Sequence, residues 1–78
     1  MVEIMNITHH PKVILPRQVE IEQPVNARQF LMDLCDAHGV AQDLVMKRCI
    51  LVDSERLRDD TIVEQNSRIY ILQAPVGG

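Results

Sequence analysis

Aromatic side chains are almost missing from this sequence: Phe30 and Tyr70 are the whole inventory, with no Trp, in 78 residues. Single-stranded RNA and DNA are held on aromatic stacking platforms, so that class of binder has nothing to build on here, and the core must be aliphatic. Basic clusters are missing too. Lys and Arg total 8 against 11 Asp and Glu, the formal net charge is −3, and no more than two basic residues are adjacent. A protein that tracks phosphates needs a basic face, so nucleic acid is not an expected partner. No apolar run approaches the roughly 20 residues of a membrane span. The start, Met1-Val2-Glu3-Ile4, lacks the basic region and long apolar core of a signal peptide. Two cysteines, Cys35 and Cys49, do not make a disulfide scaffold, and reduced thiols in a cytoplasmic protein are the expectation. There is no GxGxxG, no internal repeat and no low-complexity tract.

What is present reads as one small globular domain, 46% hydrophobic. Residues 2–7 are rich in β-branched side chains and predict a first strand, buried on both faces near its end. Thr8-His9-His10-Pro11-Lys12 is a polar break with a proline, hence a turn. Val13, Leu15, Arg17, Val19 and Ile21 alternate with period two. Pro16 cannot donate to a ladder, so 13–22 is a bulged edge strand or a loop leading into a strand at 18–22. Residues 23–39 carry the clearest local pattern. Asn26 is a good N-cap with Gln29 three residues on, and Val25 and Phe30 are placed as a hydrophobic staple. Ala27, Phe30, Leu31, Leu34 and Cys35 follow helical spacing, Arg28, Asp33 and Asp36 face outward, and Gly39 stops the helix. Residues 40–46 are an extra helical turn or a crossing loop. Arg48–Asp53 reads as a buried strand, Asp53-Ser54-Glu55 as a turn, Arg56-Leu57-Arg58 as a short returning strand. Asp60 or Thr61 is placed to cap a helical turn. After a turn at Gln65-Asn66-Ser67, Arg68–Leu72 is a strong final strand, ended by Pro75.

Two strands before the only real helix argue against a Rossmann-type sheet. The economical solution is α+β: a mixed sheet of four or five strands packed on one main helix, with the last strand parallel to the first in the centre. That is the β-grasp, or ubiquitin-like, arrangement, expected over 1–72, with 73–78 as a flexible tail.

The tail Gly77-Gly78 suits passage through a narrow channel, since glycine has no Cβ to obstruct a close approach. With the strand and helix order, it resembles the ubiquitin-like sulfur carriers, both the ThiS-type thiamin carrier and the MoaD-type small subunit of molybdopterin synthase. The likeness is carried by Ile50-Leu51-Val52 and its turn, by Arg58-Asp59-Asp60-Thr61-Ile62-Val63, and by Tyr70-Ile71-Leu72-Gln73-Ala74-Pro75-Val76-Gly77-Gly78, whose Pro-Val-Gly-Gly is more MoaD-like. The chain departs from the pattern with Asp53-Ser54 in place of Asn-Gly, with Gln65-Asn66-Ser67 in the last turn, and with a tail one residue shorter.

The resemblance implies that the protein is not an enzyme and binds no cofactor or metal of its own. An E1-like adenylyltransferase would use ATP to adenylate Gly78. A sulfur donor protein or sulfide would then give a thiocarboxylate, for delivery to a sulfur-accepting synthase subunit in molybdopterin, thiamin or related biosynthesis. Gly77, Val76 and Pro75 would lie in the partner's channel. A docking patch of Tyr70 and Leu72, rimmed by Arg56, Arg58 and Arg68, would stand on the exposed sheet face. The alternatives are a protein modifier conjugated through Gly78, for which Lys12 and Lys47 leave few self-linkage sites, and an interaction subunit that uses its surface alone. His9, His10 and His38 show no metal-ligand spacing, and Asp53–Asp60 lacks the glycine and ligand alternation of a calcium loop. Cys35 sits on the helix's apolar face and Cys49 opens an apolar strand, so both are expected to be buried structural thiols.

Overall fold

The computed structural model describes residues 1–75. Its first strand, β1 (Val2–Asn6), alternates cleanly: Val2 and Ile4 are buried, Glu3 is half-exposed and Met5 is open. The expected burial on both faces is therefore corrected. One face of β1 meets the core and the other meets solvent. Asn6 then knits the following turn, its Oδ1 accepting from Thr8 N and Oγ1 while its Nδ2 donates to the Val13 carbonyl at 2.8 Å.

The second strand is shorter than the sequence suggests. Only β2 (Gln18–Val19) joins a ladder, antiparallel to β1, with Val2 opposite Val19. In that register residues beyond Glu20 run past the start of β1, so Ile21 and Glu22 have no strand to pair with. Val13 is still buried, and Leu15, Val19 and Ile21 still pack on the core, as their alternation implies; Arg17 alone is exposed.

β3 (Val25–Asn26) leads directly into helix α1 (Ala27–Ala37). Asn26 Oδ1 accepts from Gln29 N at 3.0 Å, as an N-cap should. The capping box is only half made, because the Gln29 amide turns outward to Asp33 Oδ1. Ala27, Leu31, Leu34 and Cys35 are buried, and Phe30 and Val25 pack against them. The C-terminus closes as a Schellman motif: Val40 N donates to the Cys35 carbonyl at 2.9 Å and Gly39 N to Asp36 O at 3.4 Å. Gly39 takes the left-handed φ of 67° that this closure needs. A short helix, α2 (Gln42–Met46), follows and buries Val45.

β4 (Arg48–Val52) and β5 (Glu55–Arg56) form a hairpin through Asp53 and Ser54, both at positive φ. The returning strand thus begins one residue earlier than predicted and ends at Arg56. The helical turn expected at Asp60–Thr61 is absent. Thr61 Oγ1 accepts from Arg58 N, and β6 (Ile62–Val63) pairs with β3 instead. A tertiary partner on the far side of α1 decides that segment. β7 (Arg68–Pro75) is the longest strand among the described residues and runs past Leu72, through the first three residues of the 73–78 segment that the sequence assigned to the tail. A register shift between Arg48 and Ile50 brings Arg48 opposite Pro75. At a strand's end, proline loses only a donor and keeps its carbonyl. Arg48 spans the irregularity, donating from Nε to the Leu44 carbonyl and from Nη1 to the Gln73 carbonyl.

The main sheet has the order β2-β1-β7-β4-β5, with β1 and β7 parallel at its centre and the other pairs antiparallel. This five-stranded mixed sheet on one main helix is the β-grasp-like α+β arrangement expected. Ile69 and Ile71 from the central strand share one core with Leu31 and Cys35 from α1, all fully buried. Each large aliphatic chain so placed contributes about 1.5–3 kcal/mol. Among the described residues no helix is long and apolar enough to cross a membrane.

Candidate functional site

The burial of Ile69 and Ile71 decides the other face of β7. Side chains alternate along a strand, so Arg68, Tyr70 and Leu72 point away from α1. The ladders then assemble a row across four strands. Met5 stands opposite Tyr70, Tyr70 opposite Leu51, and Leu51 opposite Arg56. Beside it, Glu3 stands opposite Arg68, with Oε2 and Nε 3.7 Å apart. Ile7 continues the alternation of Glu3 and Met5, and its N–H donates to the Ile71 carbonyl at 2.9 Å. Met5 and Ile7 remain 41% and 40% exposed, which is high for large aliphatic side chains beside a sheet centre. Leu51, Tyr70 and Leu72 are half-buried.

Four of the five surface residues picked from sequence thus share one face: Arg56, Arg68, Tyr70 and Leu72. Arg58 does not join the row. It lies in the loop after β5, where its Nε stands 3.7 Å from Asp60 Oδ1. Met5, Ile7 and Leu51 complete the face and were not singled out from sequence. Their signal was the alternation of Glu3, Met5 and Ile7 against Val2 and Ile4, which the β-branched richness of the segment obscured. Tyr70 is both a strand-packing residue and a face residue, since it lies between Met5 and Leu51 and stays partly open.

Asp53 sets where β7 begins. Its carboxylate accepts from Ser67 Oγ at 2.8 Å and from Arg68 N at 3.0 Å, and its own N–H donates to the Arg68 carbonyl. Asp and Ser therefore occupy the positive-φ turn positions that Asn-Gly would take, and the acid adds an anchor that Asn-Gly lacks. Asp59 pairs with Arg28 at 3.0 Å, so the carboxylates of 53–60 are divided among separate partners. Among the described residues no three His, Cys, Asp or Glu side chains come together as a metal site.

The thiols differ. Cys35 is fully buried, as expected, and burial pushes its pKa up, with the nearby Asp36 carboxylate adding to the shift. Cys49 is only half-buried, and it lies at the register shift between Arg48 and Ile50. His10 Nδ1 accepts from Lys12 N at 3.1 Å and serves the turn.

Of the tail residues picked from sequence, Pro75 ends β7, while Val76, Gly77 and Gly78 lie outside the described residues. Pro75 ends the central strand at the end of the sheet where Ile7 leaves β1. No family model matches the chain, and no curated protein matches it either.

Proposed function

We propose that the protein is a sulfur carrier, activated at Gly78 by an E1-like adenylyltransferase and docked through the outer face of its sheet. The observation that supports this most is the placement of β7. The strand that precedes Gly77-Gly78 in the sequence is the central one of the main sheet. The same strand carries Tyr70, in one row with Met5, Leu51 and Arg56.

The chemistry requires little of the carrier. A carboxylate oxygen of Gly78 attacks the α-phosphorus of ATP on the partner, and diphosphate leaves. Hydrosulfide then attacks the acyl carbon, AMP departs with the bonding pair, and a thiocarboxylic acid remains, ionised by loss of its proton. A carboxylate alone resists this attack, and the acyl-adenylate supplies the leaving group. The two glycines bring no Cβ into the channel.

The test is an intact mass of the chain from its native host, and of the chain incubated with that host's activating enzyme, ATP and sulfide. One oxygen exchanged for one sulfur in the fragment ending at Gly78 is the expected result. The same spectrum reads whether Gly78 carries the free carboxylate. Heavier species with diglycine on lysines would replace the carrier with a modifier. An unchanged mass under conditions that activate a control carrier would leave the sheet face as the working surface and overturn the proposal.

A further inference from the structure

The pairing of β4 with β7 changes register near the end of β7. Val52, Leu51 and Ile50 stand opposite Ile69, Tyr70 and Ile71, one for one, but Arg48 stands opposite Pro75. One residue of β4, Cys49, is therefore set against three of β7: Leu72, Gln73 and Ala74. Surplus residues bend the strand that carries them and leave part of its main chain outside the ladder. Here the bend lies immediately before Pro75, so it sets the direction in which the chain leaves β7.

One side chain spans this bend. Arg48 Nη1 donates to the Gln73 carbonyl at 2.8 Å, inside the surplus stretch. Arg48 Nε donates to the Leu44 carbonyl at 2.7 Å, in the short helix α2. A guanidinium is planar and rigid, so bonds from two of its nitrogens fix the Gln73 carbonyl against α2 in angle as well as in distance. α2 is in turn anchored by the fully buried Val45 and packs on α1 and β4. The end of β7 is thus held to the helical layer as well as to its sheet neighbours. A lysine would keep the charge but carry it on one atom at the end of a flexible stem.

We propose, resting on the carrier reading, that Arg48 is a positioning residue for the tail. Its bridge between α2 and the bend of β7 aims the chain beyond Pro75, so that a docked carrier delivers the Gly78 carboxylate to the α-phosphorus of ATP. Docking itself belongs to the outer sheet face. Loss of the bridge therefore leaves docking intact and lowers the fraction of docked complexes in reactive geometry, which lowers kcat and spares KM.

The experiment compares the full ¹⁵N-labelled chain with Arg48→Met, which removes both bonds, and Arg48→Lys, which keeps the charge. In the free wild-type chain the amides of Gln73 and Ala74 should show order parameters of about 0.8, falling below about 0.6 in both variants. The amides of Leu31, Ile69 and Ile71 should keep their wild-type values and report that the fold persists. With the activating enzyme and ATP, kcat for diphosphate release should fall about tenfold in both variants at unchanged KM. Unchanged order parameters at Gln73 and Ala74 in Arg48→Met would overturn the proposal. Wild-type kcat for Arg48→Lys would replace the bridge with a simple charge effect, and a raised KM at constant kcat would make Arg48 a docking residue; each overturns it equally. A wild-type chain that releases no diphosphate would overturn the carrier reading instead, with the order parameters still deciding whether Arg48 holds the end of β7.

Discussion

Cys35 shows how one buried group links packing to pH. Its thiol is enclosed by the core, so the charged form is disfavoured by lost solvation and then by Asp36. Unfolding restores the ordinary value of 9.0, so above that pH the unfolded chain releases a proton the folded chain retains. Stability therefore falls as pH rises through this range, by at most about 1.4 kcal/mol per pH unit for the one group. Cys35→Ala should flatten that part of the stability curve in urea melts at pH 8 to 10.5, even though it lowers the curve as a whole. An unchanged slope would place the alkaline titration elsewhere. The sequence located this thiol correctly, because helical spacing alone puts Cys35 beside Leu31 and Leu34. It overstated the burial of Cys49, which is half-buried where β4 shifts register against β7.

Among the elements, the start of α1 is the best test of what a single residue joins. Asn26 caps the helix through Oδ1 and, through Nδ2, donates to the Asp59 carbonyl at 2.7 Å. It therefore ties α1 to the loop before β6, which the ladder between β3 and β6 reinforces. Asn26→Asp keeps the acceptor but sets a carboxylate against a carbonyl, whereas Asn26→Ala loses both bonds. The alanine variant should cost about 2 kcal/mol and the aspartate variant about 1 kcal/mol in chemical denaturation. Equal, negligible losses would show that the packing of Leu31 and Leu34 holds the helix end without its cap. The helix was legible in the sequence because cap, periodicity and Gly39 all speak locally. The β3–β6 pair was not, since each strand has two residues and its partner lies across the whole of α1.

At the scale of the molecule, the outer sheet face separates stability from partner recognition. Tyr70 lies half-open between Met5 and Leu51, while its neighbours Ile69 and Ile71 are fully buried. Tyr70→Glu should cost only about 1 kcal/mol of stability, because it removes surface cross-strand packing alone. On the carrier reading the same change should slow thiocarboxylate formation at least about tenfold, through the docking step. Ile69→Ala is the contrasting variant and should cost about 2–4 kcal/mol through the cavity it leaves. Wild-type rates for Tyr70→Glu in a diphosphate-release assay would remove this face from the docking surface.

Local chemistry was enough to determine the α+β class, the main helix with its cap and stop, and the strand positions around Ile4, Ile50 and Ile71. These depend on side-chain periodicity and turn residues within a few positions of one another. The tertiary structure decided which face of β7 is covered, how far that strand runs, and that β2 ends at Val19. Each depends on register between segments distant in the chain, where one residue's shift reverses a face and no local pattern records the choice.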